Sequence, residues 1–156
     1  MPDRATITEF LADRDIGFVG VSRDPKGFGN AVFRELRQRG WRPVPVHPEL
    51  AEAEGVPTVA SVAELPDTVR GVIIMVAADA AAGVVDECAA RGIERVWLHK
   101  GAGPSSVTPE AVARAREAGM MVVDGACPLM WAEPVGGIHK LHRFFAKRRI
   151  PVTAAA

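Results

Sequence analysis

The stretch from Ile16 to Pro48 limits this chain's fold more than any other. It opens with an apolar run, Ile16-Gly17-Phe18-Val19-Gly20-Val21, that breaks at Ser22. A short loop, Arg23-Asp24-Pro25-Lys26-Gly27-Phe28-Gly29-Asn30, leads into a helical pattern that stops at Gly40. A second apolar run closes on Pro45-Val46-His47-Pro48. A strand, a glycine-bearing turn, a helix and a second strand form the front half of a nucleotide-binding α/β domain. The start of such a helix presents backbone N–H groups and a positive dipole end, which suit a phosphate.

The rest of the chain repeats the alternation. Residues 5–13 read as a short leading helix with Ile7, Phe10 and Leu11 on one face. The pattern predicts strands near 16–21 and 42–46 and a helix over 29–39. In that helix Val32, Phe33 and Leu36 point inward, while Arg34, Glu35, Arg37, Gln38 and Arg39 face water. Segment 49–69 reads as irregular, with Val59 or Val62 in a short edge strand or turn. Gly71-Val72-Ile73-Ile74-Met75-Val76 is apolar throughout, as a parallel strand buried on both faces should be. Asp79 is a candidate cap for a helix running to Arg91. Arg95–Leu98 and Met120–Val123 read as further strands. Between them, Thr108-Pro109-Glu110 is a strong helix start. The expectation is a three-layer α/β/α domain over residues 5–149, with about five mostly parallel strands and a tail at 150–156.

Nineteen basic and nineteen acidic residues cancel, so nothing in the overall charge draws the chain to nucleic acid or an anionic membrane. No apolar run approaches the roughly 20 residues of a membrane span. The first residues, Met1-Pro2-Asp3-Arg4-Ala5-Thr6, lack the apolar core of a signal peptide. Cys88 and Cys127 are too few for a disulfide scaffold. These features predict a cytoplasmic protein with reduced thiols that uses neither nucleic acid nor a membrane.

Gly20, Gly27 and Gly29 do not fit G-x-G-x-x-G, and the loop is not a P-loop. NAD-binding domains place an acid at the end of the second strand to accept from the ribose hydroxyls. This chain has Val46, His47 and Pro48 there, with Glu49 just beyond. His47 could tolerate a phosphate near the ribose, and Pro45 and Pro48 could shape a slot for adenine.

The segments Gly20-Val21-Ser22, Lys26-Gly27-Phe28-Gly29-Asn30, Pro45-Val46-His47-Pro48, Val96–Ala102 and Val122–Pro128 resemble the CoA-binding domain family. The likeness covers about residues 10–132. It is nearest to the small single-domain bacterial members, which are similar to the N-terminal domain of the succinyl-CoA synthetase α-subunit. It implies a Rossmann-like fold binding coenzyme A, or an acyl-CoA, at the C-terminal edge of the sheet. Gly20, Val21, Ser22 and the loop through Arg23, Lys26, Phe28, Gly29 and Asn30 would hold phosphates. Pro45, Val46 and Pro48 would line the adenine side, and Val76 and Ala77 would face the ligand, with His47 and Ala78 beside them as further candidate cofactor contacts. Two positions depart from the family pattern. His47 stands where asparagine is usual, and His99-Lys100 where a glutamine precedes the glycine segment. Lys100 is a further candidate contact for a phosphate or an acyl carbonyl.

The residues alone support the same chemistry. Arg23 and Lys26 offer charge to phosphates, with Ser22 and the helix amides as donors. The run Ala77-Ala78-Asp79-Ala80-Ala81-Ala82-Gly83 reads as a loop with little bulk, which lets a thin pantetheine arm lie against the backbone; alanine is equally a good helix former. Cys127 beyond the last strand reads as a small buried hydrophobe or a thiol for a mixed disulfide. His139 and His142, without acids or cysteines, make a poor metal site. Residues 138–149 read as an amphipathic basic helix that packs on its own domain, a twin subunit or a partner. No nucleophile–base–acid set can be assembled, and Ser105-Ser106 has no identifiable base. The first expectation is a non-catalytic CoA-binding, sensing or carrier protein. The alternatives are an NAD(P)-linked oxidoreductase or small acyl-CoA-handling enzyme, and an interaction module with a vestigial cleft.

Overall fold

The computed structural model describes residues 2–101 and 105–133. Helix α1 covers Arg4–Ala12, strand β1 Asp15–Val19, helix α2 Phe28–Gln38 and strand β2 Arg42–Val46. A hairpin of β3 (Glu52–Ala53) and β4 (Val56–Pro57) precedes a 3₁₀ turn at Val62–Glu64. Then come β5 (Gly71–Ile74), α3 (Ala78–Arg91), β6 (Arg95–His99), α4 (Pro109–Glu117) and β7 (Met121–Ala126). The five long strands form one sheet in the order β2-β1-β5-β6-β7, and every neighbour is parallel. This is the expected Rossmann-like α/β fold.

Side chains alternate across the strands and feed two cores. The register aligns Phe18 with Ile73, Ile73 with Trp97 and Trp97 with Val123. That row packs with Ile7 and Phe10 of α1 and Val32, Phe33 and Leu36 of α2. Phe18 meets Phe33 edge-on at 5.4 Å, and Phe10 meets Trp97 edge-on at 5.3 Å, a geometry favoured by the ring quadrupoles. On the other face Val72, Ile74, Val96 and Leu98 pack with Ala81, Val85 and Cys88 of α3 and with Ala111 and Ala115 of α4. Helices therefore lie on both faces.

Edge strand β2 is blunted by its own sequence. The N–H of Arg42 donates to Arg14 O at 2.7 Å, on the β1 side. Strand alternation then turns positions 43 and 45 outward. Both are proline, which has no N–H to offer a further strand. The outward carbonyl of Pro45 and N–H of His47 pair instead with Val59, at 3.0 and 2.9 Å.

Five sequence expectations need correction. Arg39 does not face water. It is buried, and its guanidinium donates to Leu129 O and Ala132 O, both at 2.8 Å, and to Glu35. Segment 49–69 is not irregular throughout: it carries the short β3–β4 hairpin, while Val59 bridges to Val46 at the edge and Val62 opens a 3₁₀ turn, as expected. Asp79 is not the cap of α3: Ala77 takes that position, and Asp79 sits in the first turn. The alanine run is not a loop: Ala78–Ala82 are helical, with Ala81 and Ala82 packed into the core. The central strand ends at Ile74, two residues short of Val76. The basic segment 138–149 with His139 and His142, and the tail at 150–156, lie outside the described residues. Among the described residues, no helix is long and apolar enough to cross a membrane.

Candidate functional site

The strand order reverses direction between β1 and β5. From β1 the chain steps outward to β2, whereas from β5 it steps the other way to β6 and β7. In open α/β sheets the crevice beyond the strand ends at such a point takes the ligand. Here its walls are the loop after β1, the first turn of α2, the Met75–Ala77 turn after β5 and the first turn of α3.

Close backbone approach builds the crevice. A Cβ at Gly29 would stand 1.9 Å from the carbonyl oxygen of Gly20. Gly20 has φ +152°, and a Cβ there would meet the Met75 backbone at 2.7 Å. Glycine at both positions lets α2 abut β1, and lets β1 abut the β5 turn.

A chain of polar contacts then holds the loop after β1. Buried Asn30 accepts from Ser22 N–H at 2.8 Å and donates to Ser22 O at 3.1 Å and Glu54 Oε1 at 2.9 Å. Glu54 has φ 52° in the β3–β4 turn, a left-handed conformation disfavoured for a residue with a side chain. Asn30, Arg34 and Arg37 fasten it there. Hydrogen bonding from the Arg34 guanidinium, then from Asn30, holds the Glu54 carboxyl below its ordinary pKa.

Ser106 performs the matching task after β5. It is fully buried, accepts from Val76 N–H at 2.8 Å and donates to Val76 O at 2.7 Å. Its own N–H donates to His99 O at 3.0 Å. Through its hydroxyl and its N–H together, Ser106 ties the β5 turn to the end of β6. The sequence reading gave Ser106 no function, and no local signal marks it, because its partner is 30 residues away. The buried His99 ring lies 5.5 Å from Phe28, which joins the end of β6 to the start of α2.

The helix starts differ in one respect. Asp3 caps α1 by accepting from Thr6 N–H at 2.8 Å, and Thr108 caps α4 by accepting from Ala111 N–H at 3.0 Å. Helices α2 and α3, which start at the two walls of the crevice, have no side-chain cap. Their first-turn amides face the edge where an anion would gather.

The predicted site residues divide by orientation. Ser22, Arg23, Lys26, Pro48, Ala77, Ala78 and Lys100 are exposed at this edge. Gly20, Phe28, Gly29, His47 and Val76 are half-buried there. Val21, Asn30, Pro45 and Val46 have buried side chains, so only their backbones can reach a ligand. Ser22, expected as a phosphate donor, is an exposed residue whose N–H is already held by Asn30 and whose hydroxyl donates at longer range, 3.3 Å to Asp24 O and 3.4 Å to Asn30 Oδ1. Arg23 forms a 2.6 Å ion pair with Glu49 of the loop after β2. Lys26 forms no ion pair among the described residues. Cys127 is buried near Gly101, and burial pushes its thiol pKa up. Burial pushes Cys88 up to about 12. Among the described residues, no cluster of three or more His, Cys, Asp or Glu side chains could hold a metal.

A family profile described as CoA binding domain matches residues 14–132. Over 90 residues the chain is 33% identical to the alpha subunit of ADP-forming acetate–CoA ligase II of Pyrococcus furiosus. That stretch is 57% of this chain and 20% of the subunit, so the chain spans about a fifth of that relative's length. It is 28% identical over 127 residues to YneT, an uncharacterized protein of Bacillus subtilis, covering 81% of this chain and 91% of that one. A hypothetical protein of Pyrococcus horikoshii OT3 superposes with a TM-score of 0.73 at 28% identity, over 85% of this chain and 92% of that one. The apo dinucleotide-forming acetyl-coenzyme A synthetase 1 of Ca. Korarchaeum cryptofilum superposes with a TM-score of 0.63 at 30% identity, over 73% and 26%.

Proposed function

The chain belongs to the CoA-binding domain family, and from that premise we propose that it binds coenzyme A or an acyl-CoA at the crevice between β1 and β5. The observation that carries this reading is the pair of uncapped helix starts, α2 and α3, on either side of the crevice. A diphosphate spanning them accepts from amides that no side chain satisfies, and it meets two positive dipole ends. Lys26 and Ser22 are exposed residues of the same loop. The adenosine end lies toward His47 and Pro48. The pantetheine arm passes over Ala77 and Ala78, which are exposed and small, toward Lys100.

The protein holds its ligand without altering it, and serves as a sensor, a buffer or a carrier that presents the cofactor to a partner in the cytoplasm. The state of the thiols supports this. Both are kept protonated by burial, and a thiol in that state is a poor nucleophile. An NAD-linked reading is disfavoured by His47, which occupies the place where such sites carry an acid.

Thermal unfolding with CoA, acetyl-CoA, NAD and NADP, each at about 100 times a micromolar dissociation constant, tests the reading. Saturation of that order adds about 2.7 kcal/mol, or roughly 5–10 °C in a chain of this size. A shift with CoA or acetyl-CoA is expected. A shift with NAD alone, or with none of the four, overturns it.

A further inference from the structure

The two nitrogens of His47 are chemically distinct. The residue follows β2 and is anchored by its own N–H, which donates to Val59 O at 2.9 Å. Its ring Nδ1 accepts from two backbone amides, Glu49 N–H at 3.1 Å and Leu50 N–H at 3.2 Å. A ring nitrogen that accepts carries no proton, so the neutral ring bears its proton on Nε2. Placing a proton on Nδ1 would set it against two N–H groups at once. The turn 47–50 therefore makes Nε2 a donor, on the side of the ring away from the turn.

A donor at this place has a consequence for the ligand. An unmodified ribose diol is read by an acceptor at the end of the second strand, and a ribose phosphate by a donor or cation. The second donor is Arg23, whose guanidinium reaches this loop through its 2.6 Å contact with Glu49. Both partners of that pair are about two-thirds exposed, with 68% and 63% of their side-chain surface accessible. Exposed ion pairs are weak, so a phosphate dianion can displace the carboxylate. Resting on the CoA reading, we infer that the site selects ligands bearing a phosphate on the adenosine ribose. The His47 Nε2–H and the Arg23 guanidinium hold it, and Glu49 is the group it displaces.

Calorimetric titration of the full chain with CoA and with 3′-dephospho-CoA tests this. One charge-assisted hydrogen bond corresponds to about tenfold or more in affinity. The expected order is CoA tighter than dephospho-CoA by at least that factor. His47→Asn retains an acceptor for the two turn amides and has no atom at the Nε2 position, so the ratio should fall toward one. Glu49→Gln should tighten CoA several-fold more than it tightens dephospho-CoA. Equal affinities in the unmodified protein overturn the inference and leave the CoA reading standing. So does an unchanged ratio in folded His47→Asn. Should that variant not fold, an equal gain for both ligands in Glu49→Gln overturns it. Binding of neither ligand removes both readings together.

Discussion

The same substitution, glycine to alanine, should have opposite signs at two helical positions of this protein. In the open, alanine in place of a helix glycine gains about 0.5–1 kcal/mol. Gly83 in α3 has nothing within 4 Å of an added Cβ, so Gly83→Ala should raise Tm by about 1–4 °C. A Cβ added at Gly29 in α2 would stand 1.9 Å from the Gly20 carbonyl oxygen. Real Cβ atoms essentially never come closer than 3.0 Å, so at least 1.1 Å must be recovered. The obstructing atom is backbone, so no rotamer change relieves it. Helix α2 must lift from β1, at an overpacking cost of about 1–3 kcal/mol or more. That exceeds the propensity gain, and Gly29→Ala should lower Tm by several degrees. The lift also moves the uncapped amides by about an ångström, a displacement that can cost on the order of 100-fold where geometry matters. Differential scanning calorimetry gives the two stabilities, and calorimetric titration gives CoA affinity. Equal stabilisation by both substitutions, with CoA affinity intact in Gly29→Ala, would refute the account of how α2 is seated.

Ser106→Ala leaves the Val76 N–H and carbonyl without their partner, and should cost about 1–3 kcal/mol by urea denaturation. CoA affinity should weaken as well, because Val76 leads directly into α3. Cys88 carries the pH dependence at the alkaline end. The unfolded thiol ionises near its ordinary value of 9.0, whereas the folded one keeps its proton to about 12. Between those values the unfolded chain binds fewer protons than the native one, so its contribution is complete below about pH 9 and declines as pH rises. The slope is about 1.4 kcal/mol per pH unit. Urea denaturation from pH 8 to 11 should show it, and Cys88→Ala should be flatter; identical slopes would show that the thiol is not buried as described.

The parallel sheet was legible because strands buried on both faces are written as unbroken apolar runs, as in Gly71–Ile74. The hairpin was not. Its turn is Glu54-Gly55 rather than the Asn-Gly or Asp-Gly that marks such turns. Contacts from Asn30 and Arg34 of α2, distant in sequence, compensate for the strained Glu54 backbone. For Arg39, helical spacing from Val32 and Leu36 pointed inward, and its charge argued the opposite. The carbonyls that settle the matter lie 90 and 93 residues away. At the candidate site the glycines and the small residues were readable. The latches were not, since Asn30 and Ser106 look like any loop or helix polar residue until their partners are in place. The lack of a cap on α3 was also hidden, because Asp79 looked like one.

Pro43 and Pro45 reach beyond stability into how copies of this molecule can meet. Every strand lends hydrogen bonds to two sides, and an unguarded border recruits whatever extended chain drifts past. Here one border has lost the donors of positions 43 and 45, and the Pro45 carbonyl and His47 N–H are engaged with Val59. A sheet that continues from one molecule into another must therefore pass through β7. Two copies joined there by a twofold axis would share ten strands, and they would place their crevices at opposite ends of the common sheet.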